Sequence, residues 1–144
     1  AFLNRKIGDF KMTVMFKPID ELKKMKKEFE RKPNLNVKEK QELFLYEILI
    51  EMHYRKIELE QIDIYKSEAK LFTIQDGKIR MPLIAMDGLG EAVAEKVVAE
   101  RKESSFLSIE DLVKRTKLNR TVVDLMKEYE CLKDLSATNQ QTLF

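Results

Sequence analysis

The sequence predicts a mainly α-helical fold with one small β-hairpin element, and two helix–turn–helix units in succession in its C-terminal half. Three observations predict it. Apolar residues recur at helical spacing through most of the chain, as in Ile19, Leu22, Met25 and Phe29. Asp76-Gly77 separates two short apolar runs, the strongest short-range signal for a hairpin. Finally, Met86–Arg101 reads Met-Asp-Gly-Leu-Gly-Glu-Ala-Val-Ala-Glu-Lys-Val-Val-Ala-Glu-Arg, a two-glycine turn directly ahead of an alanine- and valine-rich helix.

The length of 144 residues suits one domain, or a small domain with an appendage. With 27 basic and 25 acidic residues the net charge is only +2, so any surface for nucleic acid must be local. A single cysteine, Cys131, excludes an internal disulfide and reads as a small core residue. His53 is the one histidine, with no cysteine near it, so no metal site is expected there. No run approaches the roughly 18 apolar residues of a membrane span, and no signal peptide opens the chain. The expected location is the cytoplasm, with no membrane partner. The first residue is Ala1 rather than methionine, which reads as a piece of something longer.

From Phe10 to Phe16 apolar residues alternate, predicting a short strand. Pro18 suits the start of a helix whose buried face is Ile19, Leu22, Met25 and Phe29, with lysines 23, 24, 26 and 27 mostly on the other side. Asn36 and Glu39 have the spacing of a capping box and open a helix to about Arg55, with Phe44, Ile48 and Met52 as its stripe and Leu45 and Leu49 broadening it. Ile57–Tyr65 alternates as a strand would; Leu71–Ile74 and Lys78–Met81 flank the hairpin turn; Pro82 ends the second strand and Leu83–Met86 gives one helical turn. Ser108 caps a short helix, and Asn119 caps another with Val122, Val123 and Met126 inward. From Ser136 the tail carries no charged side chain and no period, yet ends on Leu143-Phe144. The expected divisions are 1–80, 81–135 and 136–144.

The chemistry sits in the two turns of the C-terminal half. Gly88 and Gly90 can take positive φ, Leu89 points inward, and Ala94, Val97 and Val98 form the stripe of the helix that follows. The first N–H groups of such a helix are free to bind an anion, so Gly88, Leu89, Gly90 and Glu91 are candidates to hold a phosphate through the backbone, with Lys96 as a nearby charge. The second turn, Lys114–Arg120, has four basic residues in seven and no acid: Lys114, Arg115, Lys117 and Arg120. Two such grips side by side would track one DNA groove.

The Gly-Leu-Gly turn with Ala94 behind it resembles the helix-hairpin-helix motif of proteins that grip DNA through its backbone; Asp87 stands where that motif has proline. Gln140-Gln141-Thr142-Leu143-Phe144 resembles the peptide by which bacterial polymerases hold the sliding clamp, with Gln140, Leu143 and Phe144 matching and Gln141 replacing the usual leucine. Ile62-Asp63-Ile64-Tyr65-Lys66-Ser67 and Cys131-Leu132-Lys133-Asp134-Leu135 extend the likeness, and the whole chain resembles the C-terminal end of PolC-type DNA polymerase III alpha subunits. Glu130 stands where members often have glycine.

The resemblance implies that 1–80 ends the fingers region, 81–135 is a tandem helix-hairpin-helix domain on double-stranded DNA, and 136–144 binds the clamp. It also implies that the catalytic carboxylates and their Mg ions lie in the palm of the remaining polymerase chain. These residues then form no catalytic site and hold no cofactor, in keeping with the absence of an Asp-x-Asp pair and of a Gly-rich phosphate loop. Two alternatives are a glycosylase-like repair enzyme, with Asp111 at a suitable distance beyond the hairpin, and a protein-interaction module using the same helices without nucleic acid.

Overall fold

A computed structural model describes residues 12–132 and 134–136. These are mostly helical, with a three-stranded sheet between two helical regions of the sequence. Of the expected strand at Phe10–Phe16, Phe10 and Lys11 lie outside the described residues, and the remainder holds a short helix, α1 (Met12–Met15). A strand needs a partner ladder, and the described sheet draws its strands from residues 59–80. Met15 turns into the core while Phe16 stays exposed, so the alternation at 12–16 marks no sheet face.

Helix α2 (Ile19–Glu30) starts at Pro18, whose φ of −59° suits a helix entrance. Leu22 is fully buried, and Ile19, Met25 and Phe29 pack beside it as the spacing predicts. Helix α3 (Val37–Tyr54) opens with the expected capping box: the Glu39 N–H donates to Asn36 Oδ1 at 2.8 Å, and the Asn36 N–H donates to Glu39 Oε1 at 3.3 Å. Its buried face is Leu45, Tyr46, Leu49, Ile50 and Met52, while Phe44, expected on the stripe, is exposed. Apolar residues cover more than one face of this helix, and packing on α2 selects the face bearing Tyr46, whose ring lies 5.6 Å from that of Phe29.

The hairpin forms as predicted between β2 (Thr73–Gln75) and β3 (Lys78–Arg80), with Asp76 and Gly77 both at positive φ, 53° and 77°. Both central residues at positive φ make the turn whose twist matches paired strands. The predicted strand at 57–65 shortens to β1 (Leu59–Glu60), which pairs parallel to β3 with Leu59 opposite Ile79. Residues 62–67 instead wind into a tight turn. The Asp63 carboxylate accepts from the N–H groups of Tyr65 and Lys66 at 2.8 and 3.0 Å, and the Asp63 N–H donates to Ser67 Oγ at 2.9 Å. Asp and Ser compete with the ladder in this way wherever their side chains reach local backbone.

After a single 3-10 turn (Leu83–Ala85) come α4 (Glu91–Glu103), α5 (Ile109–Thr116) and α6 (Arg120–Glu128). Helix α6 ends with Glu130 at φ 60° and the Cys131 N–H donating to Met126 O at 2.8 Å. That left-handed position explains why glycine suits this place in the resemblance noted above. One cluster of buried side chains runs from Met15 and Leu22 through Leu49, Ile62 and Leu83 to Val97 and Met126, so the core crosses the expected boundary at 80–81. The Tyr65 hydroxyl accepts from the Phe106 N–H at 3.0 Å, and Arg101 donates to the carbonyls of Ile64 and Ser67 at 3.3 and 2.6 Å. Both contacts fasten the 62–67 turn to the C-terminal helices. No described helix is long and apolar enough to cross a membrane.

Candidate nucleic-acid interface

The two turns of the C-terminal half share one backbone geometry. Gly88 sits at φ 84° and Lys117 at φ 65°, both left-handed. The next residues, Leu89 and Leu118, are buried at 5% and 3% exposure and pin their turns to the core. Gly90 and Asn119 then cap α4 and α6 in nearly identical extended conformations, at φ −80°, ψ 166° and φ −79°, ψ 162°. In the helices behind them, Ala94 and Val97 match Val123 and Met126, all buried. The second turn therefore repeats the first without its glycines.

The two glycines of the first turn differ in what they are for. Gly88 uses the left-handed region, and a Cβ there would meet Val122 Cγ2 at 3.4 Å, so this turn lies against the first turn of α6. Gly90 does not take positive φ, and a Cβ there would meet nothing within 4 Å. Neither its backbone angles nor its neighbours require glycine. What glycine leaves is open space in front of the first N–H groups of α4, which receive no side-chain cap. In the second unit the Asn119 side chain accepts from the Val122 N–H at 2.9 Å, so part of that helix end is already satisfied.

The candidate charges divide into groups. Lys114, Lys117 and Arg120 are exposed; Arg120 makes one distant pair, 4.0 Å from Asp124. Lys96 pairs with Glu100 at 3.6 Å and stands five residues into α4, about 7.5 Å along it from Glu91. Lys70, which the sequence offered no reason to choose, lies at the helix entrance instead: its Nζ is 2.8 Å from Glu91 and 3.8 Å from Glu95. Glu91 holds the Lys70 ammonium above the ordinary lysine range, and the lysine in turn offsets two acids beside the open N–H groups. Only the three-dimensional fold brings residue 70 to residue 91.

Arg115 stands apart from the other three. Its place in the sequence groups it with the basic turn, but its guanidinium faces inward. It donates to the carbonyls of Glu100, Ser104 and Ser105 at 2.7, 3.0 and 3.1 Å and to Asp111 Oδ2 at 3.1 Å, and it lies 4.5 Å over the Phe106 ring. The last carbonyls of a helix have no partner of their own, and a planar cation with five donors satisfies several at once. Asp111 is equally engaged. The Leu107 N–H at 2.9 Å is the largest influence holding its carboxyl below the usual range, with Arg115 adding to it. Gln140, Leu143 and Phe144 lie outside the described residues.

Two capped helices entered by matching left-handed turns define a class. The family model described as the helix-hairpin-helix motif matches residues 56–142, more than half of the chain, and the chain belongs to that family. Its relatives are polymerases. The chain is 36% identical over 145 residues to the DNA polymerase III PolC-type of Caldanaerobacter subterraneus and 35% identical over 144 residues to that of Thermotoga maritima. Each alignment covers 100% of this chain and 10% of the relative. It is 40% identical over 111 residues to the same-named protein of Clostridium perfringens, covering 77% of this chain and 8% of the relative. The chain thus spans about a tenth of the length of the curated relatives it matches.

Proposed function

We propose that this chain is the C-terminal, non-catalytic part of a cytoplasmic PolC-type replicative polymerase, holding duplex DNA by its phosphate backbone and tethering the enzyme to the sliding clamp. The observation that carries the DNA reading is the repeated turn geometry, with Gly90 open in front of the α4 N-terminus. Backbone N–H groups around Gly88–Glu91 hold one phosphate, and Lys114, Lys117 and Arg120 neutralise others from the second turn. None of these groups reads a base edge, so affinity is independent of sequence. Asp111 and Arg115 do not join the contact: both are committed within the protein. The engagement of Asp111 also counts against a glycosylase-like role, because a catalytic carboxylate must be free to face substrate. Nucleotidyl transfer, with its Mg ions, belongs to the palm of the remaining polymerase chain.

The clamp reading rests on the sequence of the tail. Leu143 and Phe144 enter a hydrophobic pocket of the clamp and Gln140 hydrogen-bonds at its rim. Burial of the apolar pair contributes about 1.5–3 kcal/mol for each side chain, set against the entropy of ordering the segment. Titration of the 144-residue chain and of a chain lacking Leu143-Phe144 against the clamp and against a DNA duplex tests both halves. Loss of clamp binding with duplex binding intact is expected. Equal clamp affinities would refute the tether, and no duplex binding by either chain would refute the DNA reading.

A further inference from the structure

We infer that Arg115 is a positioning residue for DNA binding, acting by fixing the second turn relative to the first rather than by touching DNA. The inference rests on the duplex-binding reading above. Arg115 is two residues ahead of Lys117, at the end of α5 that leads into the second turn. Its guanidinium holds the far end of α4, the helix that the first turn opens, through the carbonyls of Glu100 and Ser104. It also ties down the linker through Ser105 O and the Phe106 ring, and its own helix through Asp111. At the opposite end of α4 the first turn faces α6 closely: a Cβ added at Gly88 would stand 3.4 Å from Val122 Cγ2. The relative placement of the two turns is thus set at both ends of α4, by the close approach of Gly88 to α6 at one and by Arg115 at the other.

The guanidinium is planar, and its four acceptors lie on α4, the linker and α5. A lysine keeps the charge, but its three donors share one nitrogen and cannot span that set as the planar fork does. Two phosphate grips strengthen each other only when both can engage at once, so loosening their spacing lowers affinity without removing a contact.

The test is a double-mutant cycle on the 144-residue chain, with duplex affinity read by fluorescence anisotropy below the melting temperature of every variant. Arg115→Lys is measured in the wild-type background and in a background where Lys114→Ala, Lys117→Ala and Arg120→Ala remove the exposed charges of the second turn. The expected loss is about tenfold in the first background, a coupling of ordinary size, and less than about twofold in the second. An equal loss in both backgrounds would mean a direct contact or a general loosening of the fold and would overturn the inference, as would no loss in either. If Arg115→Lys does not fold, Phe106→Leu, which removes the ring under the guanidinium, is carried through the same cycle with the same two outcomes. Absence of duplex binding by the wild-type chain would instead refute the DNA reading itself.

Discussion

Gly90→Ser separates folding from binding at the first turn. At φ −80° and ψ 166° the backbone of Gly90 is open to any residue, and an added Cβ meets no atom within 4 Å. Serine is a better helix cap than glycine by a few tenths of a kcal/mol, so the melting temperature should hold or rise slightly. The same protein shows what a capping side chain does. Ser108 accepts from the Asp111 N–H at 3.0 Å and Asn119 from the Val122 N–H at 2.9 Å. A serine at 90 would accept from the Val93 N–H in the same manner, occupying the space and one of the donors that a phosphate needs. A hydrogen bond to a charged group contributes about 1.5–3 kcal/mol, so duplex affinity should fall about ten- to a hundredfold. Thermal melting by circular dichroism and anisotropy titration with a duplex read the two effects. Unchanged affinity in a variant as stable as the parent would refute the claim that the open α4 N-terminus holds a phosphate.

Two further substitutions probe the left-handed positions. Gly88→Ala places a Cβ at φ 84° and 3.4 Å from Val122, and should lower unfolding free energy by about 1–2 kcal/mol in a denaturant titration. Lys117→Gly should raise stability by about 0.5–1 kcal/mol by relieving a lysine at φ 65°, while lowering the salt slope of duplex binding by about one. A slope that stays constant in that variant would remove Lys117 from the contact.

Local chemistry explains most of what the sequence revealed. Asp76-Gly77 and the Asn36/Glu39 box are decided within a few residues, and both form as read. The Gly-Leu-Gly turn is local as well, and it leads to the right family. Pairings across the chain were not legible. The parallel register of Leu59 with Ile79, and the placing of Lys70 beside Glu91, depend on how distant elements pack. Arg115 shows the limit most clearly. Four basic residues in seven signal a positive patch, but sequence counts charges without their directions, and one of the four turns inward to satisfy helix carbonyls. The misread at 12–16 has the same origin: a short alternating run fits a strand or a helical turn, and Met15 is drawn into the core of a fold that offers no ladder there.

In the proposed function, two backbone-gripping turns hold duplex DNA without reading its bases. The most direct measurement is duplex affinity across a range of salt for two duplexes of unrelated sequence. A linear fall of log affinity with log salt is expected, with the same slope and the same affinity for both duplexes. Lack of binding at low salt, or affinities that separate the two sequences by more than about tenfold, the cost of a single mismatched base pair in a specific site, would contradict it.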